Sequence, residues 1–373
     1  MRTTVVPKSF SAWLKGGLSG MRRKVWRTRA VAYVTGLIFL IRFRSVCEIG
    51  RRMADGAADA LHHFIHDSPW DILGVEQEQQ REIARHAGKA GGTVRLVIDD
   101  TPVERDGPHI EGLGVHHGAK GLVKGLCAVT AIVGIAGRIW CWAVCGYRPK
   151  RTCGQGEFRS KVDLAVEILK GAVSLGLNVM VLMDSWYACK RILNRIATQG
   201  WRYVAAIKAN RRLYVDDRAT TVRNLAKGPR EYCTVRLSKR RKVRVARRVA
   251  GLPGVGLVAV FITKTNGTVK FLVSNDLSLS SEEAVRLYAE RFCIETFHRD
   301  VKQHLGFGEL WVRSWRAVQR HWTLCGLAYN ALQNWDASQH SRRHTFGTII
   351  RAFRAKSPLP TNRGCYNDFR KTA

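Results

Sequence analysis

Hydrophobic and polar residues follow a helical period over the first quarter of the chain. From Arg22 to about Gly92, basic and apolar residues are interleaved at helical spacing. The pattern changes after the Gly-rich segment Gly88–Gly92, because Val94–Ile98 is a short, mostly apolar run of the kind that forms a buried strand. The sequence therefore predicts an N-terminal all-helical region, residues 1–90, followed by a domain that contains a sheet.

The middle of the chain alternates strand-like and helix-like segments. Two strand-like runs, Gly125–Val133 and Arg138–Tyr147, are separated by Gly-Ile-Ala-Gly, a composition suited to a β-hairpin. Helical and strand-like patterns then follow in turn, at Phe158–Leu175, Asn178–Met183, Tyr187–Thr198 and Tyr203–Ile207. This order predicts a mixed α/β fold with a partly parallel sheet and flanking helices.

From Lys208 to Leu279 the apolar residues recur with a period of two, which is typical of β-strands with one buried face. The residues expected on the buried face are Val235, Leu237, Val243, Val245 and Val249. The opposite parity carries Arg236, Arg240, Lys242, Arg244 and Arg248. This cationic face suits a phosphate backbone, and the alternative is an edge strand that charge protects from aggregation.

The last quarter is again helical. Ser280–Glu283 can begin a helix that continues through His304, and a second helix is predicted over Ala317–Trp335. Residues 341–373 are interpreted as a C-terminal tail. The remaining boundaries place the first part of the core at 91–207, a β-rich insertion at 208–279 and the second part of the core at 280–340.

The charge of the chain points to a polyanionic partner. Its 62 Lys and Arg residues exceed its 29 Asp and Glu residues, which gives a net charge of +33 on a sequence that is 46% apolar and therefore expected to fold. The longest apolar stretch, Ala30–Phe43, contains Arg42 and is shorter than the roughly 20 residues that a membrane-spanning helix needs. We expect a buried helix there and no membrane association. Scattered cysteines without a CxxC pair favour reduced thiols and a cytoplasmic location.

Two aspartates follow predicted buried strands. The run Val94–Ile98 is followed by Asp99 and Asp100, and the run Asn178–Met183 is followed by Asp184. Ligands bind at the carboxyl ends of strands in open sheets, and two carboxylates there suggest Mg²⁺ and phosphodiester chemistry in a strongly basic chain. The alternative for each aspartate alone is a helix cap or a turn residue.

A third acidic residue lies among cations on the helix predicted from Ser281. At about 100° per residue, Tyr288, Arg291, Glu295 and Lys302 fall within a wedge of about 60°. The apolar residues of the same helix form a separate stripe, at Leu287, Ile294, Phe297, Val301 and Leu305. A carboxylate flanked by cations can hold a metal ion and a phosphate together, whereas the alternative is a solvated face with an Arg291–Glu295 pair.

These segments resemble the insertion-sequence transposases of the DDE superfamily. The spacing Tyr288-x2-Arg291-x3-Glu295-x6-Lys302 looks like their YREK box, and the segments Ile98–Thr101 (IDDT) and Leu182–Tyr187 (LMDSWY) are similar to the blocks that carry their two aspartates. The resemblance implies an RNase H-like fold in which a β-rich subdomain is inserted between the second aspartate and the glutamate. It implies a metal-binding catalytic triad of Asp100, Asp184 and Glu295, with Asp100 favoured over Asp99 because it directly precedes Thr101.

The resemblance also implies a function. We expect a cut-and-paste transposase that uses Mg²⁺, with Mn²⁺ as a possible substitute, to cleave double-stranded DNA at the terminal inverted repeats of its element and join the ends to target DNA. The expected DNA-binding residues are Tyr288, Arg291, Lys302, Arg240, Lys242 and Arg244, with residues 1–90 as the candidate end-recognition region. Pairing of two DNA ends implies a homodimer. The resemblance also implies that the protein acts in a bacterial cytoplasm, in association with the nucleoid.

Two alternatives remain open from the sequence. One is an RNase H-like nuclease that cleaves without strand transfer, because both reactions need the same metal ions. The other is a catalytically inactive, DNA-binding derivative of a transposase. Some relatives hold a flipped base with a tryptophan of the insertion, but here no Trp lies between Trp201 and Trp311, so the excision route also stays open.

Overall fold

The computed structural model describes residues 7–42, 44–53, 58–118, 121–227, 231–309, 311–342 and 344–357. These residues divide into two compact units. Unit 1 contains the described residues of 1–90, 100–160 and 296–373, and unit 2 contains residues 91–99 and 161–295. Part of the predicted tail, residues 358–373, lies outside the described residues.

The helices are α1 (Lys8–Gly17), α2 (Lys24–Phe39), α3 (Val46–Met53), α4 (Ala58–His66), α5 (Ile72–Ala90), α6 (Lys161–Gly171), α7 (Lys190–Thr198), α8 (Val222–Leu225), α9 (Ser281–Glu290), α10 (Cys293–His304), α11 (Trp315–Gln339) and α12 (Phe346–Lys356). The strands are β1 (Val94–Glu104), β2 (Gly114–Gly118), β3 (Gly121–Ile135), β4 (Arg138–Tyr147), β5 (Val179–Met183), β6 (Arg202–Ala206), β7 (Arg212–Val215), β8 (Arg218–Thr221), β9 (Cys233–Arg236), β10 (Lys242–Leu252), β11 (Gly256–Thr265) and β12 (Thr268–Ser274). None of the helices within the described ranges combines the length and the apolar character needed to cross a bilayer.

Helix α11 lies at the centre of unit 1. Eighteen of its 25 residues are buried and they lie on all sides of the helix, so α11 is surrounded by protein. It packs against α1, α2, α4 and α5 and against strand β4, so the N-terminal helices share one core with the sheet of this unit. Asn330 ties α11 to the sheet, because its side chain accepts from Cys141 N at 2.7 Å and donates to Cys141 O at 2.8 Å.

The predicted hairpin is confirmed in unit 1. Strands β3 and β4 pair antiparallel from Ile135↔Arg138 to Cys127↔Tyr147. The two-residue turn between them has φ of 47° at Ala136 and 76° at Gly137, and positive φ at both positions is what a type I′ hairpin turn requires. The apolar stretch that begins at Ala30 forms a buried helix as predicted, with Ala30 through Ile38 buried in α2.

Unit 2 contains the parallel part of the sheet. Residues 94–98 of β1 pair in parallel with β5, and β5 pairs in parallel with β6. Helix α6 precedes β5, and helix α7 connects β5 to β6 in a crossover of the kind that parallel pairing requires. Antiparallel strands β12, β11 and β10 then follow β6, with β9 and β7 both paired to β10. The predicted mixed α/β fold is therefore confirmed.

Three local predictions are wrong. Strand β1 does not end at Ile98 but continues to Glu104, so Asp99 and Asp100 are strand residues; only the parallel pairing to β5 ends at Ile98. Val249 is 40% exposed because the buried parity of β10 shifts where its pairing with β9 ends at Val245. Residues 346–356, predicted as tail, form α12, because Phe346, Ile349 and Phe353 recur at helical spacing and are buried.

Candidate active site

The segment with the YREK-like spacing is two helices rather than one. Ser280 and Glu283 form a capping box that starts α9, but α9 ends at Glu290 and α10 begins at Cys293. At the junction, Arg291 N bonds to Tyr288 O and Ile294 N bonds to Arg291 O. These bonds between residues three apart tighten the turn, so the four residues do not lie on one continuous helix face. The prediction that they share a 60° wedge of a single helix is therefore wrong.

Arg291 joins two carboxylates in unit 2. Its Nη1 donates to Asp99 Oδ2 at 2.8 Å, and its Nη2 donates to Glu295 Oε1. The side chains of Arg291 and Asp99 are 16% and 18% exposed, whereas that of Glu295 is 43% exposed. Burial alone would lower the pKa of Arg291, but its electrostatic interactions with Asp99, Tyr288 and Glu295 outweigh this effect and the pKa is raised. The guanidinium is therefore firmly charged at this position.

Tyr288 lies against the same guanidinium. The Cζ of Arg291 is 5.9 Å from the centroid of the Tyr288 ring. Burial raises the pKa of the Tyr288 hydroxyl, and the negative charges of Asp184 and Asp99 raise it further, while Arg291 acts in the opposite direction. The Tyr288 hydroxyl is thus neutral, and its pKa depends on both Asp99 and Asp184.

Asp184 follows β5, as predicted. Its Oδ1 accepts hydrogen bonds from the backbone N–H groups of Trp186 at 2.9 Å and Tyr187 at 3.3 Å. These bonds fix the carboxylate at the carboxyl end of a strand whose residues are all buried. Trp186, two residues after Asp184, is 53% exposed, and Lys208 Nζ lies 5.5 Å from its ring centroid. An exposed aromatic ring with a cation over it is a surface that nucleic-acid bases and phosphates can contact.

Asp100 and Lys302 belong to unit 1. Cys127 Sγ donates to Asp100 Oδ2 at 3.4 Å. Lys302 Nζ donates to the backbone oxygen of Pro102 at 2.7 Å, and burial lowers the pKa of Lys302. Consecutive strand residues point to opposite faces, which is consistent with the different partners of Asp99 and Asp100. The structure thus brings Tyr288, Arg291 and Glu295 together with Asp99 in unit 2, and brings Lys302 to β1 in unit 1.

The cationic residues predicted on the β-rich insertion form an exposed surface. Arg244 lies directly opposite Lys264, and Lys242 lies directly opposite Arg236. Like charges in cross-strand pairs are unfavourable unless an anion neutralises them. Tyr232 lies beside this surface, with Arg244 Cζ 5.0 Å and Lys264 Nζ 4.8 Å from its ring centroid. Arg240 is exposed in the adjacent turn.

Sequence reasoning missed two features. Asp99 was set aside in favour of Asp100, although it is the aspartate that Arg291 contacts. The second feature is a cluster of Asp336, His340 and His344 in unit 1, whose ligand atoms lie within 4.8 Å of one another. Its signal was present in the sequence as an Asp-x3-His-x3-His spacing.

Comparison with known proteins identifies the family. The profile of the DDE superfamily endonucleases matches residues 17–250, which is more than half of the chain, and the protein belongs to this family. The match covers Asp99, Asp100 and Asp184 and ends before Glu295. The chain is also similar to a probable transposase for insertion sequence element IS701 of Microchaete diplosiphon, with 26% identity over 181 residues. The alignment takes in 47% of each protein, so the chain spans about half the length of this relative.

Proposed function

We propose that the protein is a DNA transposase that cleaves the ends of its own element and joins them to target DNA. The observation that carries the proposal is the Arg291 bridge between Asp99 and Glu295, with Tyr288 against it and Asp184 near enough to raise the pKa of Tyr288. This cluster of acidic and basic side chains lies in a DDE superfamily chain with a net charge of +33.

The proposed metal ligands are Asp184, Glu295 and Asp100, the residues that the resemblance to the transposases assigns. Carboxylate oxygens are the donors that Mg²⁺ prefers, and Mn²⁺ accepts the same donors. When bound, two such ions would activate the attacking oxygen and stabilise the leaving oxygen of a phosphodiester exchange. We assign Asp99 a different role, because its carboxylate is engaged by Arg291: it positions the guanidinium beside Glu295.

The residues around the carboxylates would act on the DNA itself. Arg291 is charged and partly accessible, and its guanidinium presents several N–H donors, which suits a phosphate group. The Tyr288 hydroxyl would donate a hydrogen bond to a phosphate oxygen, since its raised pKa keeps the hydroxyl protonated. The exposed cations of β10 and β11 would hold the duplex farther from the scissile bond, in a binding mode that salt weakens.

Strand transfer distinguishes a transposase from a nuclease that only cuts. The test is to incubate the purified protein with labelled DNA that carries the element's terminal inverted repeats, together with a supercoiled target plasmid and Mg²⁺. We expect labelled ends joined covalently to the plasmid, and a pair of ends held by a dimer of the protein. Cut ends without joined products would instead identify a nuclease, and end binding without cleavage would identify an inactive derivative.

A further inference from the structure

Three potential metal ligands meet where α11 gives way to α12 in unit 1. Asp336 lies in the last turn of α11, His340 caps that helix, and His344 precedes Thr345, the N-cap residue of α12. Asp336 Oδ1 is 3.1 Å from His340 Nδ1 and 2.8 Å from His344 Nδ1. One atom of the carboxylate therefore faces both imidazoles.

The carboxylate is held in place from its other side. Asp336 is 1% exposed, and Arg138 Nη1 donates to its Oδ2 at 2.5 Å. Arg138 Nη2 donates to the backbone oxygen of His340 at 2.6 Å, so the same guanidinium also fixes the chain at the helix end. An outer partner that orients a ligating carboxylate is a usual feature of protein metal sites.

We propose that Asp336, His340 and His344 form a site for Zn²⁺, separate from the carboxylates of the proposed active site. In a tetrahedral zinc site the ligands lie about 2.0 to 2.1 Å from the metal and hence roughly 3.3 Å from one another. The two carboxylate–imidazole distances here are 3.1 and 2.8 Å, and all the ligand atoms lie within 4.8 Å of one another. Two imidazoles and one carboxylate favour zinc over Mg²⁺, which prefers oxygen donors throughout. A water molecule would complete the coordination.

The exposure and the position of the Asp336, His340 and His344 cluster suit a metal ion that stabilises the fold. The side chains of His340 and His344 are 41% and 39% exposed, so a metal ion can enter from solvent. The ion would link the end of α11 to the start of α12, whose Phe353 packs on Trp335 with ring centroids 5.1 Å apart and whose Phe346 stacks on Tyr329 at 4.6 Å. Zinc binding would therefore stabilise the docking of α12, because an ion that binds only the folded state raises the stability of that state.

The experiment is a Zn²⁺ titration of the full-length protein after treatment with EDTA, in an excess of Mg²⁺ that occupies all-oxygen sites. We expect one equivalent of Zn²⁺ to bind and to raise the melting temperature. Substituting Co²⁺ should give the visible absorption of a tetrahedral site, without the near-ultraviolet charge-transfer band of a thiolate ligand. The His340→Gln and His344→Gln variants should each weaken Zn²⁺ binding by about 10- to 100-fold or more.

Two controls make the result specific. His63→Gln removes a histidine from a comparable surface pair, since His63 Nδ1 is 3.3 Å from Asp67 Oδ2, and it should leave Zn²⁺ affinity unchanged. Glu295→Gln should also leave it unchanged, because Glu295 belongs to the proposed active site. Melting curves in EDTA verify that the histidine variants fold. Absence of stoichiometric binding, a thiolate band, or equal affinity in folded His340→Gln and His344→Gln variants would overturn the proposal.

Discussion

Arg291 donates a hydrogen bond to Asp99, although the two residues are 192 positions apart in the chain. The same guanidinium donates to Glu295, four residues after it. A single cation thus offsets the repulsion between two carboxylates. The contact ties the α9–α10 junction to strand β1, which is the strand that carries both candidate aspartates. Arg291 is therefore the residue on which the proposed geometry depends most.

Replacing Arg291 should impair DNA cleavage strongly. In Arg291→Gln the carboxylates of Asp99 and Glu295 lose their shared counter-charge, and a phosphate loses a charged donor. We expect the single-turnover cleavage rate to fall by about 10²- to 10³-fold, the range typical of losing one charge-stabilising donor. Arg291→Lys should lie in between, because a lysine keeps the charge but cannot bridge two groups in the same way.

Arg286→Gln is the matched control for this change. Arg286 lies on α9 and pairs with Glu282 in an exposed contact between residues four apart. Its loss should change cleavage by less than about two-fold, since exposed pairs of this kind contribute little. A cleavage rate of Arg291→Gln equal to that of the unmodified protein would contradict the role assigned to Arg291.

The two adjacent aspartates should respond differently to substitution. Asp100→Asn removes a proposed metal ligand, so cleavage should be abolished in Mg²⁺. Asp99→Asn removes only the partner that positions Arg291, and we expect a loss of about 10- to 100-fold with cleavage still detectable. The measurement is cleavage over a series of Mg²⁺ concentrations. If Asp99→Asn is inactive and Asp100→Asn retains activity, the two roles are exchanged.

The cationic surface of the β-rich insertion should bind DNA in a salt-dependent manner. Arg244 and Lys264 are cross-strand neighbours of like charge, and we expect each to contact one phosphate. The Arg244→Gln/Lys264→Gln double variant should reduce the slope of log K against log salt by about 2, because each phosphate contact contributes roughly 0.9. It should weaken binding to all DNA sequences equally, which fluorescence anisotropy at several salt concentrations can measure.

Lys170→Gln provides the control for that experiment. Lys170 is exposed on α6 in the same unit, outside the predicted cationic face. Its substitution changes the net charge of the chain but should leave the salt slope unchanged. An unchanged slope in the double variant would mean that these cations protect a sheet edge instead of holding DNA.

A half-buried glutamate in unit 1, Glu76, should make stability depend on pH. Burial raises the pKa of Glu76 from 4.5 to about 7, although Thr323 Oγ1 donates to its Oε1 at 3.3 Å and lowers it. The folded state then holds a proton that the unfolded chain releases, so stability falls as the pH rises from about 4.5 to 7. Glu76→Gln cannot ionise and keeps the hydrogen bond to Thr323.

We therefore expect Glu76→Gln to match the unmodified protein at pH 4 and to exceed its free energy of unfolding by about 3 kcal/mol at pH 8. Urea unfolding at the two pH values measures this difference. Glu78→Gln, which loses an ion pair with Arg81 near the surface, should show no such gain at pH 8. Equal stability of the Glu76→Gln variant and the unmodified protein at pH 8 would show that folding does not raise the pKa of this carboxyl group.

Hydrophobic periodicity correctly predicted several buried strands and helices. It failed where contacts between residues distant in the sequence determine the ends of an element. The buried run at 94–98, the β3–β4 hairpin and Asp184 at the end of β5 all follow from local patterns. Local patterns gave no sign that β1 would continue past Ile98, because that depends on its change of partner strand. The break after Glu290 coincides with the contact between Arg291 and Asp99, which a helical repeat cannot reveal.

The chemistry of the site was predictable only in part. The spacing of Tyr288, Arg291 and Glu295 in the sequence indicated one functional cluster, and the structure brings these three together. The choice between Asp99 and Asp100 depends on which side of β1 each residue faces, and the sequence alone does not establish this. The Asp336, His340 and His344 cluster was visible as a spacing, but its meaning required the distances between its atoms.

The most direct test of the account is cleavage of DNA that carries the element's terminal inverted repeats, comparing the unmodified protein with Glu295→Gln in Mg²⁺ and in EDTA. Glutamine is nearly isosteric with glutamate but removes the negative charge that a metal ion needs. We predict cuts at the element boundary that require Mg²⁺ and disappear in the folded variant. Cleavage at an undiminished rate by Glu295→Gln, or cleavage that persists in EDTA, would contradict the proposed site.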